Sequence, residues 1–319
     1  RIQRQRESKN GDRDVEESAK LNSLKNMKTL REYIKEAEEK KVAIGHFNIS
    51  NLEGLHGVYE AAKSVSVLVG EKVPVIIGLS EGEEDFVGSE EAVVLVKEIR
   101  ERDDYPIFLN ADHHYSFERT KQSINAGFDA VIIDGAKLSL EENVAVTKEC
   151  VGYVKTLRDA TDRDVLVEAE IGYIGSGSNI KDSIPEGAGT LTDPEDAKNF
   201  VQMTDIDLLA PSVGSIHGIV KGGEPHIDGI LVKKIRESAG VPLVLHGGSG
   251  LRDEDFTSAI SSGISVIHIS TEIRLAYKEA LEKFLKENPN EITTYKILAP
   301  AVEAVKKVAE ARLKLFNNL

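Results

Sequence analysis

The chain is poor in cysteine, in long apolar runs and in positive charge. Its single cysteine, Cys150, excludes an intrachain disulfide, which fits a reducing compartment. No apolar run reaches the roughly 18 residues needed to cross a bilayer. The first residues, RIQRQRESKNGDRDVEESAKLNSLKN, hold no apolar stretch of the secretory kind. Lysine and arginine total 40 against 54 aspartates and glutamates, a formal net charge of −14. Nucleic acid and acidic membranes would be repelled over most of such a surface. Any phosphate the protein binds must therefore be held locally. These absences predict a cytoplasmic protein with neither a nucleic-acid nor a membrane partner.

The chain opens on Arg1, and Met27 stands just before the first amphipathic stretch, KTLREYIKEAEEKK. Residues 1–26 are too polar to bury a core of their own and are expected to be an upstream extension or a disordered arm. The remainder, 27–319, is expected to form one domain, since barrels of roughly 250 residues do so routinely.

From Lys41 onward short β-branched runs alternate with longer amphipathic ones. The runs fall at 42–47, 73–79, 107–111, 130–133, 165–171, 208–211, 243–245 and 266–269. Between them, segments such as 52–63, 90–100, 117–125, 141–158, 194–203, 229–238 and 253–261 carry an apolar stripe at helical spacing. Such alternation implies parallel strands with right-handed crossovers, and eight units close a (β/α)8 TIM barrel. An open six-stranded sheet would give the same rhythm. Polar residues favour the barrel: Asn48, Ser80, Asp112 with His113, Asp134, Glu168 with Glu170, His217, His246 and His268 to Thr271 all stand at run ends. A closed barrel gathers those ends at one mouth. The eighth helix is expected at 272–286, and past it an extra terminal helix at 297–315 that packs on the barrel or on a neighbouring subunit of a homo-oligomer, a dimer or tetramer. The Gly- and Ser-rich segment 172–192 reads as a lid.

His113, His217 and His246 end three strands, and three imidazoles with an open fourth position make a site for Zn²⁺ or a similar divalent metal. Asp134 and Glu170 either supply oxygen ligands or hydrogen-bond the liganding histidines. HGGSG at 246–250 and the adjacent HIST at 268–271 place glycine amides and hydroxyls at helix starts, where a phosphate is held. Asp112 either orients its neighbouring histidine or transfers protons. Cys150 reads as a core residue in mid-helix.

The motifs GHFNISNLEG, PVIIGLS, ADHHYSFE, VIIDGAKLSLEEN, VEAEIG, GSIHG, LVLHGGSG and HISTE occur in this order. In them the chain resembles the class II, metal-dependent fructose-bisphosphate and tagatose-bisphosphate aldolases, from about Met27 to the end of the eighth helix. The resemblance implies that His113, His217 and His246 hold the catalytic metal and that Asp134 and Glu170 hold an alternative metal position. It makes Asp112 the proton donor to the oxygen that becomes the C4 hydroxyl. Gly218, Gly247, Gly248 and Ser249 with His268, Ile269, Ser270 and Thr271 would bind dihydroxyacetone phosphate, with Asn48 at the mouth and Ser80 contacting the aldehyde. A monovalent cation assisting phosphate binding is also implied. The implied reaction is reversible cleavage of a ketose bisphosphate, fructose 1,6-bisphosphate first, through a metal-stabilised enediolate.

Two departures mark this chain. The family's fifth loop carries an acidic pair that supplies the C–H base, where GYIGSGSNI has Ser176, Ser178 and Asn179. Asp182 and Glu186 are candidates for that base if the loop folds in. His268 stands where many members have asparagine, and can donate a hydrogen bond or act as acid or base. Tagatose 1,6-bisphosphate or another sugar phosphate is the alternative substrate, and a sugar-phosphate binding protein without catalysis the alternative class. A metal-dependent hydrolase is disfavoured, since GHFN offers only His46 where such barrels use an HxH pair.

Overall fold

The computed structural model describes residues 27–175, 177–186, 188, 190–222 and 225–319. The expectation for residues 1–26 and the position of Ser176 lie outside them. The described chain starts with helix α1 (Leu30–Lys40), capped reciprocally by Thr29 and Glu32, whose side chains each accept from the other's backbone N–H. Its buried stripe, Leu30, Ile34 and Ala37, follows helical spacing.

Eight parallel strands then close a barrel: β1 (Ile44–Asn48), β2 (Val75–Ser80), β3 (Ile107–His114), β4 (Ala130–Ile133), β5 (Leu166–Ile171), β7 (Leu208–Pro211), β9 (Leu243–Leu245) and β10 (Ile264–Ile269). Two further short strands, β6 (Ile180–Lys181) and β8 (Ile219–Val220), pair with each other above the mouth. The outer layer comprises α2 (Leu52–Val69), α3 (Glu81–Val87), α4 (Ser89–Asp103), α5 (Phe117–Ala126), α6 (Leu140–Thr161), α7 (Pro194–Thr204), α8 (Gly229–Ala239), α9 (Asp253–Ser262), α10 (Thr271–Glu287) and α11 (Thr294–Phe316). The last helix lies on α2 and α10 of its own barrel. Gly57 allows that approach, because a Cβ there would stand 2.7 Å from Val305. Among the described residues no helix is long and apolar enough to cross a membrane.

Period-two alternation sorts the barrel residues. Odd-numbered Phe47, Ile77, Leu109, Val131, Val167, Leu209, Leu245 and Ile267 join the core shared with the helices. Even-numbered Ile44, Ile76, Phe108, Ala130, Leu166, Leu208, Val244 and Val266 form a separate inner cluster with Leu30, Ile34 and Ala37. α1 therefore plugs the N-terminal end of the barrel. Two residues further along the strands, five of the eight inward positions turn polar, with His46, Asn110, Glu168, His246 and His268 all buried. The barrel is dry at its floor and chemically equipped toward its C-terminal mouth.

Candidate active site

Strict alternation along β3 would send Asp112 inward and His113 outward. The strand instead carries one extra residue: Ala111 pairs with Val131 and His114 with Ile133, so three steps on β3 face two on β4. His113 absorbs this bulge in the left-handed region, at φ 51°. Asp112 and His113 consequently both line the mouth, while His114 is buried with its Nε2 3.0 Å from Glu84 Oε1 on α3.

The ring of His113 lies 4.7 Å from that of His217 and 4.8 Å from that of His246, centroid to centroid. One ligand atom from each of these histidines and one from Glu170 fall within 4.8 Å of one another. Carboxylates select the nitrogens. Asp134 Oδ2 lies 2.9 Å from His113 Nδ1, and Glu168 Oε1 lies 2.7 Å from His246 Nε2. The remaining nitrogens, His113 Nε2 and His246 Nδ1, face each other at 3.1 Å. His217 Nε2 and Glu170 Oε2 are buried with no hydrogen-bond partner. Buried lone pairs aimed at a common point, with carboxylates fixing the outer ring nitrogens, fit a divalent metal.

The charges are strongly coupled. Burial alone would lower the His113 pKa, but the Asp112 charge, the Asp134 hydrogen bond and Glu170 push it up to about 10. Burial and the two neighbouring imidazoles hold His217 well below its ordinary value. Burial, reinforced by Asp134, pushes Glu170 up to about 7. Burial would raise Asp112 and Asp134, yet Asp112 is held well below the carboxylate range by His113 and His268, and Asp134 is lowered by its bond to His113.

Two cavities meet at this cluster and share Asn48, Asp112, His113, Ser178 and His217. The larger, of about 340 Å³, is also lined by Ser80, Glu81, Tyr115, Asp134, Lys137, Glu170 and Arg274. The smaller is lined by Gly218, Gly247, Gly248, Ser249, His268, Ser270 and Thr271. Glycine is required in its wall: Gly218 has φ +91°, and a Cβ there would stand 2.2 Å from the Asn179 carbonyl. Ser249 Oγ accepts from the backbone N–H groups of Ser270 and Glu272, which fixes this turn against the start of α10. Asn48 Nδ2 donates to both Asp112 and Glu83, and Ser80 Oγ donates to Glu83.

Three expected site residues stand apart from the cavities. Ile269 is odd-numbered and belongs to the core shared with the helices, so alternation keeps its side chain out of the mouth. Glu186 lines neither cavity. Asp182 is turned to solvent, paired with Lys221 at 3.0 Å.

Sequence reasoning passed over His46 as a mere absence of an HxH pair. Its ring stacks on His268 at 3.5 Å and 3°, and His268 stacks in turn on His246 at 4.2 Å. His46, Asp112 and His268 lie close enough to suggest a second metal position. The geometry argues against it, since parallel rings 3.5 Å apart cannot both aim an in-plane lone pair at one ion. His268 Nδ1 faces Asp112 Oδ1 at 3.4 Å, and its Nε2 has no partner. Burial holds His268 well below its ordinary pKa, and lowers His46 to about 4.

A closed parallel barrel with a divalent-metal cluster at the C-terminal ends of its strands defines a metal-dependent barrel enzyme. The family model "Fructose-bisphosphate aldolase class-II" matches residues 28–319. The chain is 38% identical over 293 residues to a fructose-bisphosphate aldolase of Geobacillus stearothermophilus, covering 91% of this chain and 96% of that protein. A Staphylococcus aureus fructose-bisphosphate aldolase is 35% identical over 293 residues, 91% of this chain and 97% of its own. The crystal structure of the YdjI aldolase from Escherichia coli K12 superposes with a TM-score of 0.75 at 32% identity, covering 90% of this chain and 96% of that one. The chain belongs to the class II fructose-bisphosphate aldolase family.

Proposed function

We propose that the protein reversibly cleaves a ketose bisphosphate, with fructose 1,6-bisphosphate the first candidate, to dihydroxyacetone phosphate and an aldehyde, using Zn²⁺ or a similar divalent ion. The observation that carries this reading is the placement of Asp112 and the three imidazoles between two cavities. A substrate lying across both would have its reacting carbons over the cluster. His113, His217 and His246, with Glu170, would hold the metal, and Asp134 would fix the His113 ring. When bound, the metal would polarise the substrate carbonyl and offset the negative charge developing on its oxygen.

Gly218, Gly247, Gly248, Ser249, Ser270 and Thr271 would hold the phosphate of the dihydroxyacetone half, and Asn48 and Ser80 would border the aldehyde half. Asp112 would exchange the proton of the C4 oxygen, held in place by Asn48. The C–H base passes from Glu186 to His268. Its Nδ1 faces Asp112 at 3.4 Å and its Nε2, at the rim of the small cavity, is free of protein partners. The protein is read as cytoplasmic and as a homo-oligomer, the latter supported by the exposure of Ile292 before the last helix and of Tyr295 in its first turn.

The test is triose phosphate release from fructose 1,6-bisphosphate with added Zn²⁺ and then with EDTA. Metal-dependent cleavage abolished by chelation is the expected result. Failure with a full metal site would move the substrate to tagatose 1,6-bisphosphate or another ketose phosphate, and failure with all of these would leave a sugar-phosphate binding role.

A further inference from the structure

The two Gly-rich loops over the mouth are stitched together. β6 pairs with β8 in parallel register, Ile180 opposite Ile219 and Lys181 opposite Val220, through bonds from Ile219 N to Asn179 O and from Lys221 N to Lys181 O. Lys181 begins on this seam but its side chain turns back beneath it. Its ammonium donates to the Gly177 carbonyl at 2.8 Å and to the carbonyl of His217. It lies so close to the small cavity's wall that a Cβ on Gly218 would stand 2.8 Å from Nζ.

A compact cation is thus set among neutral carbonyl oxygens, beside Gly218, which lines the small cavity. Carbonyl oxygens are the ligands that hard cations take, and an ammonium is a strongly hydrated point charge that needs such replacements once water is removed. The side chain is half-buried, so the carbonyls replace the hydration its ammonium gives up there. The chain as a whole is acidic, with a formal charge of −14, so a phosphate entering this cavity needs positive charge built in locally.

We infer that the Lys181 ammonium is the fixed counter-cation of the phosphate cavity, doing through a covalently attached group what a free monovalent cation would do in the same nest of carbonyls. The inference rests on the phosphate-binding part of the proposed function and names what regulates it: phosphate affinity that does not depend on potassium or sodium. Removing the amine while keeping the stem would empty the nest and open it to a free ion of similar size and charge.

The experiment is equilibrium binding of inorganic phosphate and of dihydroxyacetone phosphate to the metal-loaded protein, in tetramethylammonium buffer and again with K⁺ or NH₄⁺ at about 0.1 M, where long-range screening is already extensive. Wild type is expected to bind equally in both. K181M is expected to lose about tenfold in affinity without K⁺, the scale of one charge-assisted contact, and to recover with K⁺ or NH₄⁺. K181R, which keeps the charge, is expected to stay insensitive to K⁺. A wild-type affinity that climbs with K⁺ would overturn the inference, as would K181M binding like wild type without K⁺, or a loss that neither ion restores. Wild type that binds neither probe would overturn the phosphate cavity and this inference together. Failed sugar cleavage with intact probe binding would overturn only the reaction.

Discussion

Glu168 is the residue whose replacement tests the metal cluster most sharply. It lines neither cavity of the site, yet its Oε1 lies 2.7 Å from His246 Nε2, and both side chains are almost wholly buried. By accepting a hydrogen bond from Nε2–H it leaves Nδ1 as the lone pair that faces the cluster, and its charge makes that nitrogen a stronger donor. The substitution Glu168→Gln keeps the shape and leaves a carbonyl to accept the same hydrogen bond, so packing and the His246 tautomer survive. What is lost is the charge. A loss of about 10–100-fold in metal affinity is expected, the range for such outer partners of metal-bound histidine, equivalent to about 1.4–2.7 kcal/mol. Competition with a chromophoric chelator measures it, and the spectrum of the Co²⁺-loaded variant should shift because a weaker donor changes the ligand field. Glu168→Ala should in addition lower stability by about 1–3 kcal/mol, because it strands a buried imidazole N–H. Equal metal affinity in wild type and Glu168→Gln would refute the argument and leave Glu168 as packing.

His217→Ala is expected to abolish tight metal binding, read by metal content after gel filtration; an unchanged stoichiometry would remove His217 from the ligands. Asp112→Ala should keep fold and metal but slow cleavage by about 10²–10⁴-fold, the range for a lost general acid, and turnover at the wild-type rate would dismiss that role. His268→Gln should slow hydrogen exchange at dihydroxyacetone phosphate, followed by deuterium incorporation, more than Glu186→Gln does; the reverse order would return the base to the loop. Metal affinity should rise with pH. The metal-free His113, raised from 6.5 to about 10, must shed a proton to ligate, which gives up to about tenfold per pH unit across that window. The same shift stabilises the metal-free fold fully below pH 6.5 and is lost as pH rises through about 10. A flat affinity profile from pH 6 to 8 would contradict the assigned charge.

The barrel and the polar rim of its mouth were legible because both follow from simple periods. Helical spacing alternating with β-branched runs gives the repeat, and a polar residue at each run's end marks the mouth. Glu168 was legible too, since it shares parity with Glu170 and so its face of β5. Other features were hidden. Nothing local signals that His113 sits at a left-handed bulge. The His46–His268 stack joins residues 222 positions apart across the first and last strands, a neighbourhood that exists only once the barrel closes. Ile269 was included in the substrate segment as part of a motif, although its odd number already assigned it to the helix side. The place of Lys181 depends on two loops meeting, which no single stretch of sequence encodes.

The seam between β6 and β8 links the lid to the ion in a mechanical sense. His217 stands two residues before the paired strand β8, and its own N–H donates to the Ile174 carbonyl of the other loop at 2.9 Å. The two loops are therefore joined at His217, which the proposed function makes a metal ligand. On the proposed function, a displacement large enough to part them would pull on an imidazole of the cluster, so that the gate for the substrate would also be the latch for the metal. Ion exchange in this molecule is expected to keep time with the lid: slow while a sugar phosphate holds it shut, and fast in the empty site.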